Sequence, residues 1–251
     1  MKGALIYFSG TGNTEYVMKQ FQKKLEDKGI ESELIDTTVK DELKNEYDFY
    51  VFGAPIHAEM FPSYYIEWVR KNVSKDINKI CAIFSTQAAD KGAGIEELAN
   101  MLEEKGMKIV VKDCIEMPNN YYVVMFKKNS MDEVQVLKKA AEIKVEQLVQ
   151  SLITGKRHIK KISKGRLFLG KVSYKLFYRY SLRWAAKKLT VDEEICIKCG
   201  KCERECPTNN INLIDGKIVF YSQCISCQRC LHKCPVNAFR YKGKTFEQYH
   251  T

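Results

Sequence analysis

The chain has 251 residues, enough for one large domain or two ordinary ones, and 45% are hydrophobic, so a packed core is expected and global disorder is excluded. No run approaches the ~20 apolar residues of a membrane span, and the opening "MKGALIYFSG" lacks a signal peptide's long apolar core, so a soluble cytoplasmic protein is expected. The formal charge of +10 is uneven: residues 1–155 carry 20 basic and 24 acidic side chains, whereas residues 156–190 carry 12 basic ones and no acid.

Residues 3–9, "GALIYFS", read as a buried strand followed by a glycine turn. A helix is predicted over about 14–28, with Val17, Phe21 and Leu25 on one face and a stop near Gly29. Strands follow at 31–37, 47–55, 79–86 and 107–118, with helices at 63–72, about 95–105 and about 131–153. Five strands alternating with helices predict an α/β doubly wound parallel sheet of order 2-1-3-4-5. Cys81 and Cys114 fall inside strands four and five and are expected to be buried core thiols. Three segments are predicted: 1–155, a basic, partly helical connector at 156–190, and 191–251.

Eight of the ten cysteines lie within residues 196–234. In a chain with no export signal, metal ligation accounts for them better than disulfides. They form two copies of one pattern, "CIKCGKCERECP" (196–207) and "CISCQRCLHKCP" (224–235), each reading C-x2-C-x2-C-x3-C-P. This spacing suits a loop that wraps three thiolates around a cubane, with the fourth cysteine opening a short helix that points the other way. Zinc needs four ligands per site and has no reason to demand this pattern twice. The repeat resembles the bacterial two-cluster ferredoxin. That resemblance implies a small α+β domain with two [4Fe-4S] clusters. One would take Cys196, Cys199, Cys202 and Cys234, the other Cys224, Cys227, Cys230 and Cys206.

The turn after the first strand reads "YFSGTGNTEYV" (7–17). Its glycines let the backbone fold around an anion at a helix N-terminus, and Ser9, Thr11, Asn13 and Thr14 add side-chain donors. No lysine follows as in a triphosphatase loop, and the third glycine of a dinucleotide fingerprint is missing. Ser9-Gly10-Thr11-Gly12-Asn13-Thr14 resembles the phosphate loop of flavodoxins, [S/T]-x-T-G-x-T. The resemblance implies FMN at the switch point between strands one and three. Two later loops would then hold the flavin ring, with Pro55, Ile56, His57, Ala58, Met60 and Phe61 from one and Ser85, Thr86, Gln87, Ala88 and Gly92 from the other. Neither loop offers the usual pair of stacking aromatics. Residues 117–126, "MPNNYYVVMF", place Asn119 and Tyr121 at the same sheet edge, to wall the flavin or to meet the ferredoxin module.

The whole resembles a flavodoxin-like domain fused to a two-cluster ferredoxin, an arrangement known chiefly from anaerobes. It implies an iron–sulfur flavoprotein that moves electrons between an external redox partner, its clusters and FMN. A competing reading is an FMN-dependent reductase of a quinone, nitro compound or enone, in which His57 and Tyr121 orient the substrate. No nicotinamide fingerprint is present. The basic stretch reads as an amphipathic connector whose aromatics Tyr174, Phe177, Tyr180 and Trp184 pack between modules. It would also steer an acidic partner. Nucleic-acid and membrane-surface readings of the same charge remain open, the former not favoured.

Overall fold

The computed structural model describes residues 1–250 except 41, 44–46, 76–77 and 90–91. Contacts divide the chain into two units, one of residues 1–118 and 129–174, the other of 119–128 and 175–251.

The first unit is built on β1 (Lys2–Tyr7), α1 (Asn13–Glu26), β2 (Glu31–Asp36), β3 (Phe49–Pro55), α2 (Ser63–Asn72), β4 (Ile80–Gln87), α3 (Gly94–Glu104), β5 (Lys108–Glu116), α4 (Met131–Thr154) and β6 (His158–Ile159). All strand pairs in its sheet are parallel, and the order is β2-β1-β3-β4-β5-β6. The doubly wound sheet is therefore as expected, with a sixth strand added at the edge. That strand contributes two residues, Val111 pairing with His158 and Lys112 with Ile159. Two residues carry no detectable alternation, and they sit inside the basic stretch, so the sequence pattern did not reveal them.

Central β3 and β4 are apolar on both faces because helices cover both faces. Phe21 of α1 stacks on Phe84 of β4 with ring centroids 5.1 Å apart, and Val145, Leu148 and Val149 of α4 join the same core. Full burial of one such side chain stabilises the fold by about 1.5–3 kcal/mol. Helix α4 starts where it does because Ser130 and Glu133 form a reciprocal capping box, and it stops at Gly155 in the left-handed region.

Cys81 is buried, but Cys114 is only half-buried, which corrects the expectation for that thiol. Along β5, Val111, Asp113 and Ile115 alternate onto the buried side, while Cys114 shares its face with exposed Glu116. Asp113 is a buried charge on this strand. Its carboxylate accepts from His158 Nε2 (2.6 Å), the Cys114 N–H (2.8 Å) and the Lys144 ammonium, joining β5, β6 and α4.

Helix α5 (Lys164–Ser181) follows β6 and is divided between the units after Tyr174. The second unit continues with α6 (Trp184–Lys188), β7 (Leu189–Val191), α7 (Lys201–Arg204), β8 (Ile211–Ile214), β9 (Lys217–Phe220), α8 (Arg229–His232) and β10 (Phe239–Tyr241). β7 pairs with β10 and β8 with β9, both antiparallel. A small core of Trp184, Ala185, Leu189, Leu231 and Phe239 packs against Cys202, Cys224, Cys230 and Cys234. Among the described residues, no helix is long and apolar enough to cross a membrane.

Candidate functional site: two cysteine quartets and a capless phosphate loop

Each cysteine repeat folds as a loop that enters one turn of helix. Gly200 and Gln228 adopt left-handed φ values of 68° and 58° and open α7 and α8. The third cysteines, Cys202 and Cys230, lie inside these turns, whereas Cys206 and Cys234 follow them. The sequence reading had the fourth cysteine opening the helix. The left-handed residue starts the turn earlier, and Pro207 and Pro235 prevent its continuation.

The fold sorts the cysteines across the repeats. Cys196, Cys199, Cys202 and Cys234 line one cavity, which Cys230 also borders. Burial pushes the Cys202 thiol up to about 11, with further contributions from neighbouring Cys196 and Cys234. Burial likewise pushes Cys224 up to about 11 and Cys227 to about 12, and Cys206 adds to both. Cys230 is raised by burial and then by Cys227, Cys224, Cys206 and, last, Cys202. Cys206 thus stands among the cysteines of the other repeat, and Cys234 among those of the first.

These sites fit clusters. Backbone N–H groups already point at sulfur, from Asn210 to Cys206 (3.2 Å), Ser226 to Cys224 (3.2 Å) and Ala238 to Cys234 (3.4 Å). Trp184 Nε1 and Asn210 Nδ2 are buried donors with no acceptor among the described residues, which an acceptor-rich cluster would satisfy. Thiols held above their usual range need bound cations to ionise, and iron supplies them. Among the described residues, no three His, Cys, Asp or Glu side chains are placed to hold a single metal ion. A cubane holds its thiolates apart across its own width, a different requirement from that of one ion.

The turn between β1 and α1 has the backbone geometry expected of an anion-binding loop. Gly12 is the N-cap residue of α1, at φ 116°, and as a glycine supplies no side-chain cap of its own. An anion in the loop would face the N-terminus of α1, the end of a helix that favours negative charge. Ser9 Oγ accepts from the Gly12 N–H at 3.1 Å, and Thr14 Oγ1 lies 2.7 Å from Thr86 Oγ1. Asn13 Nδ2 donates to the Pro118 carbonyl at 2.8 Å, so its side chain ties the loop to the end of β5. Ser9, Thr11, Asn13 and Thr14 are all buried, and residues 9–14 include no cation. This is a neutral cradle fit for the FMN phosphate. A Cβ at φ 116° is strained, so Gly12→Ala should weaken FMN binding about tenfold or more, measured by flavin-fluorescence titration of the flavin-depleted protein.

The two expected ring loops meet. The Ile56 N–H donates to the Thr86 carbonyl at 3.0 Å. A Cβ on Gly92 would lie 2.4 Å from Gln87 Oε1 and 2.7 Å from Ile56 Cγ1, so a larger residue there would displace the Gln87 and Ile56 side chains. Ser85 Oγ donates to Gln87 Oε1, and Pro55 is in register with Thr86. Ala88 follows the end of β4. His57 and Met60 exchange backbone hydrogen bonds of 2.8 and 3.1 Å around Ala58 and Glu59, whose φ values are 42° and 77°. Two non-glycine residues in the left-handed region make this turn a strained one. The Glu59 carbonyl accepts from Ala93 and Gly94, bracing the turn against the start of α3. Met60 and Phe61 are core side chains, each 1% exposed, and Phe61 packs edge-on against Tyr65. The loop as it stands presents neither for stacking.

Asn119 and Tyr121 belong to the second unit. Asn119 Nδ2 donates to the Lys127 carbonyl, and its Oδ1 accepts from the Tyr121 N–H. Tyr121 Oη lies 2.8 Å from Ser226 Oγ, inside the second cysteine motif, and burial pushes its phenol up to about 12. Sequence reasoning overlooked His232. It is buried, its Nδ1 accepts from the Tyr249 N–H, and its Nε2 therefore donates to Gln228 Oε1. Burial lowers it to about 4, so it is neutral at pH 7.

The flavodoxin domain family matches residues 4–117, and the 4Fe-4S dicluster domain family matches residues 195–239. No curated protein matches the chain. Among solved structures, an archaeal flavodoxin is 18% identical, covering 60% of this chain and 99% of its own, with a TM-score of 0.43. A flavodoxin variant from Pseudomonas aeruginosa is 19% identical, covering 61% and 99%, at 0.45. A Fusobacterium nucleatum flavodoxin variant bound to flavin mononucleotide is 11% identical, covering 62% and 97%, at 0.44. With its flavodoxin domain implying FMN and its dicluster domain implying two [4Fe-4S] clusters, the chain is a flavodoxin–ferredoxin fusion, an iron–sulfur flavoprotein of electron transfer.

Proposed function

We propose that the chain relays electrons between an external redox protein and FMN by way of its clusters. The observation that carries this reading is the presence, in one chain, of two cysteine quartets and the Gly12 cradle. Clusters exchange single electrons and a flavin one or two, so the chain converts between the two modes. Covalent fusion removes a diffusional encounter between donor and acceptor.

The first quartet is the one open to the partner. Cys199 is exposed, and Ile197 beside it is 60% exposed. A carrier docking there reaches the cluster of Cys196, Cys199, Cys202 and Cys234. The formal charge of +10 favours an acidic carrier.

The test is anaerobic purification followed by mixing with a reduced low-potential ferredoxin. About eight irons and one FMN per chain are expected, with flavin and cluster absorbance bleaching together. Zinc in place of iron would overturn the reading. So would flavin reduction at an unchanged rate in protein stripped of one cluster. Turnover of a quinone, nitro compound or enone that His57→Ala abolishes, with cluster-to-flavin transfer intact, would favour the reductase instead.

A further inference from the structure

Helix α5 carries two apolar faces, and the fold uses one. Gly170 sits so close that a Cβ there would be 3.0 Å from the Met60 sulfur and 3.3 Å from the Ala93 methyl. Arg166 pairs with Glu59 at 2.9 Å, and Tyr174 Oη accepts from the Ser63 N–H at 2.6 Å. Further along the same side, Ser181 is fully buried.

On the other side, at i, i+4, i+8 and i+12, stand Phe168, Val172, Leu176 and Tyr180, exposed by 66%, 44%, 66% and 52%, with Leu169 alongside at 60%. The row runs about 18 Å at the helical rise of 1.5 Å per residue. Single exposed apolar side chains are ordinary; an unbroken row is not. Helical geometry puts Lys164, Lys171, Lys175 and Arg179 along one border of it, and all four are exposed. Residues 156–190 contain 12 cations and no acid, and of the four border cations Lys171 also pairs with Glu97 of α3 at 3.5 Å.

The cations would draw either an acidic protein or an anionic lipid surface. The apolar row decides between them. Five bulky side chains projecting in line from a convex helix need apolar depth directly beneath a layer of negative charge. The boundary between headgroups and acyl chains supplies both. We propose that α5 is an interfacial helix that docks the protein on an anionic lipid surface, with the Phe168–Tyr180 row in the acyl boundary and the flanking Lys and Arg side chains on the phosphates. The proposal is independent of the electron-relay reading.

The experiment is co-sedimentation of the anaerobically purified holoprotein with vesicles of phosphatidylcholine alone, or with phosphatidylglycerol added. Binding should be at least about tenfold tighter to the anionic vesicles and should weaken as salt rises. Because both side chains are exposed, the double variant Phe168→Ser/Leu176→Ser should keep its cluster and flavin absorbance and lose about tenfold or more in vesicle affinity. In a Val172→Trp variant, vesicles should blue-shift the emission of the introduced indole. Equal binding by the double variant would reduce the contact to surface charge and overturn the inserted row. No binding to anionic vesicles at low salt would overturn the proposal outright. A dimer that the double substitution dissolves, or an acidic carrier whose binding it weakens, would then identify the occupant as protein.

Discussion

Cys206→Ser is expected to remove the cluster of the other repeat. Cys206 lies in the first motif, yet it stands with Cys224, Cys227 and Cys230, while Cys234 completes the cavity of Cys196, Cys199 and Cys202. Iron should fall from about eight to about four per chain. The cluster signal that survives should be the one that Cys199→Ser abolishes. If Cys206→Ser and Cys199→Ser instead abolish the same signal, each repeat binds its own cluster and the crossed assignment fails. Anaerobic iron and sulfide analysis with electron paramagnetic resonance of the reduced variants separates the two results.

Asp113→Asn is expected to cost the first unit about 2–3 kcal/mol. The carboxylate is 7% exposed and accepts from three elements at once, so neutralising it weakens the His158 and Lys144 contacts together. The apparent midpoint of thermal unfolding, followed by far-ultraviolet circular dichroism at neutral pH, should drop by roughly 4–12 °C. Burial alone would raise this carboxyl, but the hydrogen bonds from Lys144, His158 and the Cys114 amide hold it below the ordinary Asp range. A carboxyl depressed on folding stabilises the folded state above its unfolded pKa. That contribution is lost as pH falls from about 4 through the folded value. The difference between wild type and variant should therefore be full at neutral pH and shrink in acid. An unchanged midpoint at neutral pH would show that the network contributes nothing.

Much of the fold was legible because its signals are local. Helix 63–72 was read at its observed bounds, and β1–β5 and the helices α1, α3 and α4 were placed to within about two residues, because each alternates or repeats over enough residues to show its period; the two-residue β6 was missed. The phosphate loop was legible for the same reason: its glycines, hydroxyls and position after the first strand are contiguous. Contacts between distant residues were not. Asn13 reaches Pro118 across 105 residues, and Tyr121 reaches Ser226 across the same separation. No spacing rule encodes either contact. Aromatic spacing over 174–184 showed a helix but not its orientation, and the structure buries Trp184 while leaving Tyr180 in solvent.

The sequence by itself determined the types of the longer elements, a glycine turn suited to an anion and the kind of cluster, because periodicity, glycine placement and C-x2-C-x2-C-x3-C-P act over a few neighbouring residues. Only the tertiary structure decided that the 119–128 loop belongs with the cysteine unit, that a buried Asp113 holds β6, and which face of α5 is left exposed. Those outcomes depend on segments far apart in the chain packing against one another, and burial, pairing and exposure exist only once they have done so.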